Sequence, residues 1–99
     1  MNRVYQNQTK LTLIFEADES LEGVTDMLVK YKKPDKTEGQ WIGTITDIDN
    51  GVIHYEIETQ NDLDQLGLWT VWPYATFADG KSLPGDASKM RVSKEGVAV

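Results

Sequence analysis

Apolar side chains fall in short runs along this chain, each soon closed by a polar or glycine-containing break. Residues 9–15, TKLTLIF, mix β-branched and large apolar side chains, the composition of a strand. The acidic EADESLEGV that follows reaches Gly23 too soon to carry a helical stripe and predicts a turn or one short helical turn. Residues 24–33, VTDMLVKYKK, predict a second strand. Pro34 closes it, because proline cannot donate to a central ladder. PDKTEG then reads as a turn, and WIGTIT from Trp41 as a third strand.

The strongest local signal lies in IDNGVIHYEIE. Asn50-Gly51 suits a tight hairpin, where both central residues need positive φ. If those two residues form the turn, Ile48 faces Ile53 and Thr46 faces Tyr55. If the loop is instead Ile48 to Asn50, Ile45 faces Ile53, and Trp41 and Ile45 share a face with Ile53, Tyr55 and Ile57. One residue of slip exchanges the faces, and the second register is preferred because it gathers the larger apolar side chains on one side. Beyond a polar link, LWTVWPYATF predicts a long strand and SKMRVSK a last one, separated by turn pairs at Asp79-Gly80 and Pro84-Gly85. No run of about a dozen residues carries a helical stripe, which disfavours βαβ crossovers. The pattern therefore predicts an all-β chain, an antiparallel sandwich of six to seven short strands.

Along the long strand, alternation assigns Trp69, Val71, Pro73, Ala75 and Phe77 to one face and Leu68, Thr70, Trp72, Tyr74 and Thr76 to the other. The first set suits a sandwich interior. The second makes Trp72 and Tyr74 the candidate protein or ligand interface, since aromatic rings combine contact area with a polar handle. A continuous apolar strip there would favour protein assembly; a concave ring pair edged by polar groups would favour a glycan. Pro73 argues for a sheet edge or a bulge at that point.

Composition narrows the picture further. The chain has 99 residues, the size of one domain, expected to span 1–99 with residues 1–8 and 95–99 flexible. It has no cysteine, so neither a disulfide framework nor thiolate catalysis is expected. MNRVYQNQTK lacks the apolar core of a signal peptide, and no run of about 18 apolar residues is present to span a bilayer. Sixteen acidic and ten basic side chains give a net charge of -6, with KYKK at 30–33 the densest basic group. Neither nucleic acid nor membrane is expected as a partner.

Candidate chemistry is sparse. His54 is the only histidine, so a metal site would have to draw on carboxylates. Ser20, Ser82 and Ser88 sit in no nucleophile elbow. DIDNG at 47–51 resembles part of a calcium loop, but strands rather than helices flank it. A pair of acids is easy to imagine among sixteen, which is no evidence for glycoside hydrolysis. GKSLPG lacks the spacing and helix of a phosphate-binding loop. No catalytic, cofactor-binding or metal residue is assigned and no cofactor is expected; a small hydrolase or metal-dependent enzyme is the least supported reading.

Asp64-Gln65-Leu66-Gly67-Leu68-Trp69 resembles the D-x-x-G-x-Y corner of immunoglobulin-like domains, with Trp69 in the tyrosine's place and Gly67 permitting a tight backbone approach. An indole has no phenolic hydroxyl, so the tyrosine's hydrogen bond does not transfer directly, although a buried ring can hold the same corner. YKKPDKTEGQW, then I-H-Y, then DLDQLGLWTVWPYATFADGKSLPG, are together similar to the small immunoglobulin-like proteins encoded among phage and prophage structural genes. The resemblance covers roughly residues 24–94 and lies in the order and spacing of the motifs. It implies an immunoglobulin-like sandwich acting without catalysis, as a virion component assembled in the bacterial host cytoplasm. Its implied partners are other virion or tail proteins and further copies of itself; a carbohydrate or host-surface binding module is the alternative.

Overall fold

The computed structural model describes residues 4–9, 11–17, 19–57, 60–94 and 96. These form nine strands, β1 (Val4–Tyr5), β2 (Thr12–Glu16), β3 (Val24–Lys32), β4 (Glu38–Ile42), β5 (Thr44–Asp47), β6 (Val52–Glu56), β7 (Gly67–Phe77), β8 (Ser82–Pro84) and β9 (Ser88–Ser93), with one 3-10 turn over Gln60–Leu63. They build two sheets. One runs β1-β9-β7-β3-β4 with β8 also on β7; the other runs β2-β6-β5. All pairings are antiparallel except that of β1 with β9.

The strand count exceeds the six to seven expected, for three local reasons. WIGTIT does not form one strand: the chain leaves the first sheet at Ile42 and joins the second at Thr44. Gly43 is the crossing point, its amide donating to the Met27 carbonyl while it packs between Ile53 and Val29. Two short strands, β1 and β8, were not legible as runs. Of the terminal segments expected to be flexible, Val4–Tyr5 lie parallel to Val92–Ser93 and the Asn7 amide donates to Leu63; residues 1–3, 95 and 97–99 lie outside the described residues.

In the hairpin, Ile45 pairs with Ile53 and Asp47 with Val52, with a bulge between. The turn is four residues long rather than the tight Asn50-Gly51 pair: Gly51 has φ +71°, whereas Asn50 keeps a negative φ. The Asn50 side chain instead donates to the Asp47 carboxylate at 2.8 Å, and this bond, with a second from the Asn50 backbone, holds the Asp47 carboxyl below the ordinary aspartate range.

Pro73 also departs from expectation, because β7 is the centre of its sheet. On one side β3 pairs from Thr70 to Phe77; on the other, β9 pairs up to Val71 and β8 from Tyr74. Pro73 falls where the neighbour changes over. Its missing N–H therefore interrupts no ladder on that side, and its carbonyl accepts from the Gly85 amide at 2.8 Å.

The inward set of β7 meets both sheets in the core. Trp69 and Val71 join Phe15, Val29, Trp41, Tyr55, Ile57, Leu63, Met90 and Val92, while Ala75 joins Leu21, Met27 and Ile53 in a smaller cluster towards the other end. Aromatic rings dominate the larger cluster: Trp41 stacks on Tyr55 with centroids 4.8 Å apart and planes 3° from parallel, and Tyr31 lies tilted against both Trp41 and Trp69. Aromatic pairs at such separations add to the stabilisation from their buried area.

Candidate protein-contact face

The residues of β7 that alternate with the core point outwards from the larger sheet, and strand register decides what stands beside them. Tyr74 pairs with Leu28 on β3 and with Pro84 on β8, and Leu28 pairs in turn with Ile42 on β4. Pro84, Tyr74, Leu28 and Ile42 thus form one row across four strands. Trp72 lies in the next row, opposite Lys30. Ile42 is 81% exposed, and Trp72, Tyr74 and Leu28 are half-buried by their neighbours on the sheet. The result is an apolar strip across the outer face of the sheet. Leu28, Ile42 and Pro84 were missed as members of it; the alternation M-L-V-K-Y-K in 27–32 marks Leu28 as outward-facing, but pairing between strands is needed to put it beside Tyr74.

Lys30 shapes the strip. Its ammonium sits 3.8 Å above the centroid of the Tyr74 ring, a cation-π contact that occupies that ring face. Past Lys30 the face turns basic. Lys32 lies opposite Thr70 on one side and Glu38 on the other, Thr70 lies opposite Lys89, and Leu68 opposite Arg91, so the band holds four cations and one carboxylate. Lys89 donates to the Thr70 hydroxyl at 3.0 Å, and none of these four cations makes an ion pair with a described residue.

The corner residues lie at one end of this face. Trp69 is fully buried, and its indole N–H donates to the Gln65 carbonyl at 3.0 Å. The buried ring holds the corner as expected, and in place of the absent hydroxyl its ring nitrogen supplies the donor. Asp64 accepts from Lys33 at 2.9 Å while its carbonyl accepts from Gln6, and Gly67 packs against Pro34. Gln65 reaches Asp35, whose carboxyl is held below the ordinary range, first by the Thr37 amide and then by hydrogen bonds from the Thr37 and Gln65 side chains. This end joins the loop before β7 to the β3–β4 turn.

The residues considered for chemistry are dispersed. His54 projects from the smaller sheet and pairs with the Thr46 hydroxyl at 2.6 Å, whereas Ser82 and Ser88 belong to the other sheet and Ser20 caps the Glu22 amide. Among the described residues no group of three or more His, Asp or Glu is placed to hold a metal ion, and no helix is long and apolar enough to cross a membrane. A cleft of about 590 Å³ opens between β2 and β9 over Leu13, Phe15, Val71 and Met90, and its described lining contains no carboxylate or imidazole. A scan against protein-family models and a search of curated proteins found no match to this chain.

Proposed function

We propose that this chain is an immunoglobulin-like accessory protein of a phage or prophage particle, acting through protein contacts rather than catalysis, and that the outer face of the β7 sheet makes those contacts. The strand order supports the immunoglobulin-like part. β9-β7-β3-β4 follows the G-F-C-C′ order, and β2-β6-β5 follows B-E-D. The order and spacing of the motifs over roughly 24–94 support the virion setting, with assembly in the bacterial cytoplasm beside other tail or capsid proteins.

The observation that carries the contact reading is the apolar strip through Tyr74, Leu28 and Ile42. A soluble domain keeps few contiguous apolar patches unless they are used, and an isoleucine 81% exposed at the end of such a row gains from burial against protein. A glycan platform is less well served, because Lys30 already covers the Tyr74 ring and the strip continues into aliphatic side chains.

The test is co-sedimentation of the tagged chain with particles induced from the host that carries its gene. The wild type is expected in the particle fraction. Ile42→Asp and Trp72→Ala, folded by circular dichroism, are each expected to reduce that fraction tenfold or more, the effect of removing a contact worth about 1.4 kcal/mol or more. A wild-type chain that stays wholly in the soluble fraction, or variants that co-sediment like it, would overturn the reading.

A further inference from the structure

Charge on this molecule is sorted by region. Against a net charge of -6, Lys30, Lys32, Lys89 and Arg91 stand together on the outer face of the larger sheet, next to the apolar strip. The opposite charge gathers at one end of the sandwich. There the β2–β3 and β5–β6 loops are joined through Ala17 N–H to Gly51 carbonyl and Leu21 N–H to Ile48 carbonyl, and the β7–β8 turn joins them through Ala78 N–H to Gly23 carbonyl. This end presents exposed Glu19, Glu22, Asp49 and Asp79, with Lys81 the one described cation in those three loops. Ile48, 47% exposed, lies in the β5–β6 loop beside Asp49.

We infer that the occupant of the basic and apolar face is a second copy of this chain, docked through its acidic loop end. The inference rests on the reading of that face as a protein-contact surface and supplies the partner. Each half of the contact carries an excess of what the other lacks: four cations against the single carboxylate of Glu38, none of them ion-paired with a described residue, beside an apolar strip on one side, and four exposed carboxylates against Lys81, with exposed Ile48, on the other. Face to face with the strands in parallel, two copies would oppose their basic bands, and a face-to-end contact avoids this while meeting the acidic loops. The contact is consequently heterologous, and repetition of it builds a ring or an open row of subunits. Nucleic acid fits less well, since it would leave Ile42 and Leu28 uncovered while meeting the repulsion of a chain with charge -6.

Salt dependence and charge exchange test this. At about 0.1 M salt the Debye length is about 10 Å, short enough to damp the general repulsion between acidic copies; at about 1 M it is about 3 Å and the contact itself is screened. Sedimentation velocity on the full chain is expected to show concentration-dependent association at the lower salt, at least tenfold weaker at the higher. Lys32→Glu with Lys89→Glu reverses the face, and Glu22→Lys with Asp49→Lys reverses the loop end; each double variant alone is expected to be monomeric. An equimolar mixture of the two is expected to restore association, because the intact face of one meets the intact end of the other and the two reversed surfaces are again opposite in charge. Lys32→Ala with Lys89→Ala, a milder change at exposed sites, is expected to weaken self-association tenfold or more.

A wild-type chain monomeric at every concentration and salt, reversal variants that associate like the wild type, or a mixture that stays monomeric would each overturn self-docking. Co-sedimentation of the Ile42→Asp variant with particles is a separate readout, so loss of the second-copy assignment is distinguishable from loss of the contact face itself.

Discussion

Trp69→Ala is expected to destabilise the domain by about 3–5 kcal/mol, the range for truncating a large aromatic in a close-packed core. Domains of this size have total stabilities of about 5–15 kcal/mol, so a substantial unfolded population at ambient temperature is within reach of this one change. The reason lies in what surrounds the ring. Trp69 has no solvent exposure, lies 5.5 Å from Tyr31 and 6.3 Å from Trp41 between centroids, and packs in the cluster that joins both sheets. Removing it opens a cavity bounded by rigid rings on a central strand, where collapse cannot fill the space. Trp69→Phe keeps a six-membered ring in the core but loses the indole's second ring together with the N–H that reaches Gln65, at an expected cost of about 1–3 kcal/mol. Urea unfolding followed by far-ultraviolet circular dichroism gives both numbers without relying on the altered fluorophore. Equal losses for the two variants would mean that the N–H and its ring, not the packing of a six-membered ring, carry the stabilisation.

Gly51→Ala is expected to cost about 2–4 kcal/mol, combining the left-handed backbone penalty with overpacking. Gly51 has φ +71°, and an added Cβ would overlap the carbonyl oxygen of Glu19 in the neighbouring loop. That atom is backbone, so it cannot swing aside as a side chain would. The loop is also tethered by the Ala17 amide donating to Gly51 itself, and yielding there would break this bond. Gly80→Ala is the internal control. Its φ of +84° carries the same backbone penalty, but a Cβ there meets nothing within 4 Å, so a smaller loss of about 1–2 kcal/mol is expected. Thermal unfolding of the two variants side by side measures the difference. If Gly80→Ala is as damaging as Gly51→Ala, backbone conformation alone accounts for both.

Much of the candidate face was readable before any coordinates, for a local reason. Successive side chains of a strand point to opposite sides, so once 68–77 is extended, burying Trp69 and Val71 obliges Trp72 and Tyr74 to face outwards. The same rule applied to 27–32 separates Met27, Val29 and Tyr31 from Leu28, Lys30 and Lys32. The residues belonging beside Tyr74 were not readable, because Leu28, Ile42 and Pro84 come from three other strands and meet it through register alone. Nor does a local pattern distinguish a proline at a sheet edge from one placed where two neighbouring strands change over, as Pro73 is.

By itself the sequence determined the all-β class and the outward assignment of Trp72 and Tyr74, because alternation acts between residues a few places apart. Only the tertiary structure decided that the chain passes between sheets at Gly43, that the Trp69 indole closes the corner on Gln65, and that dispersed lysines and an arginine become one basic band while the loop acids gather at one end. Those outcomes depend on pairings between residues distant along the chain, selected by burial of the shared aromatic core rather than by any segment's own preference.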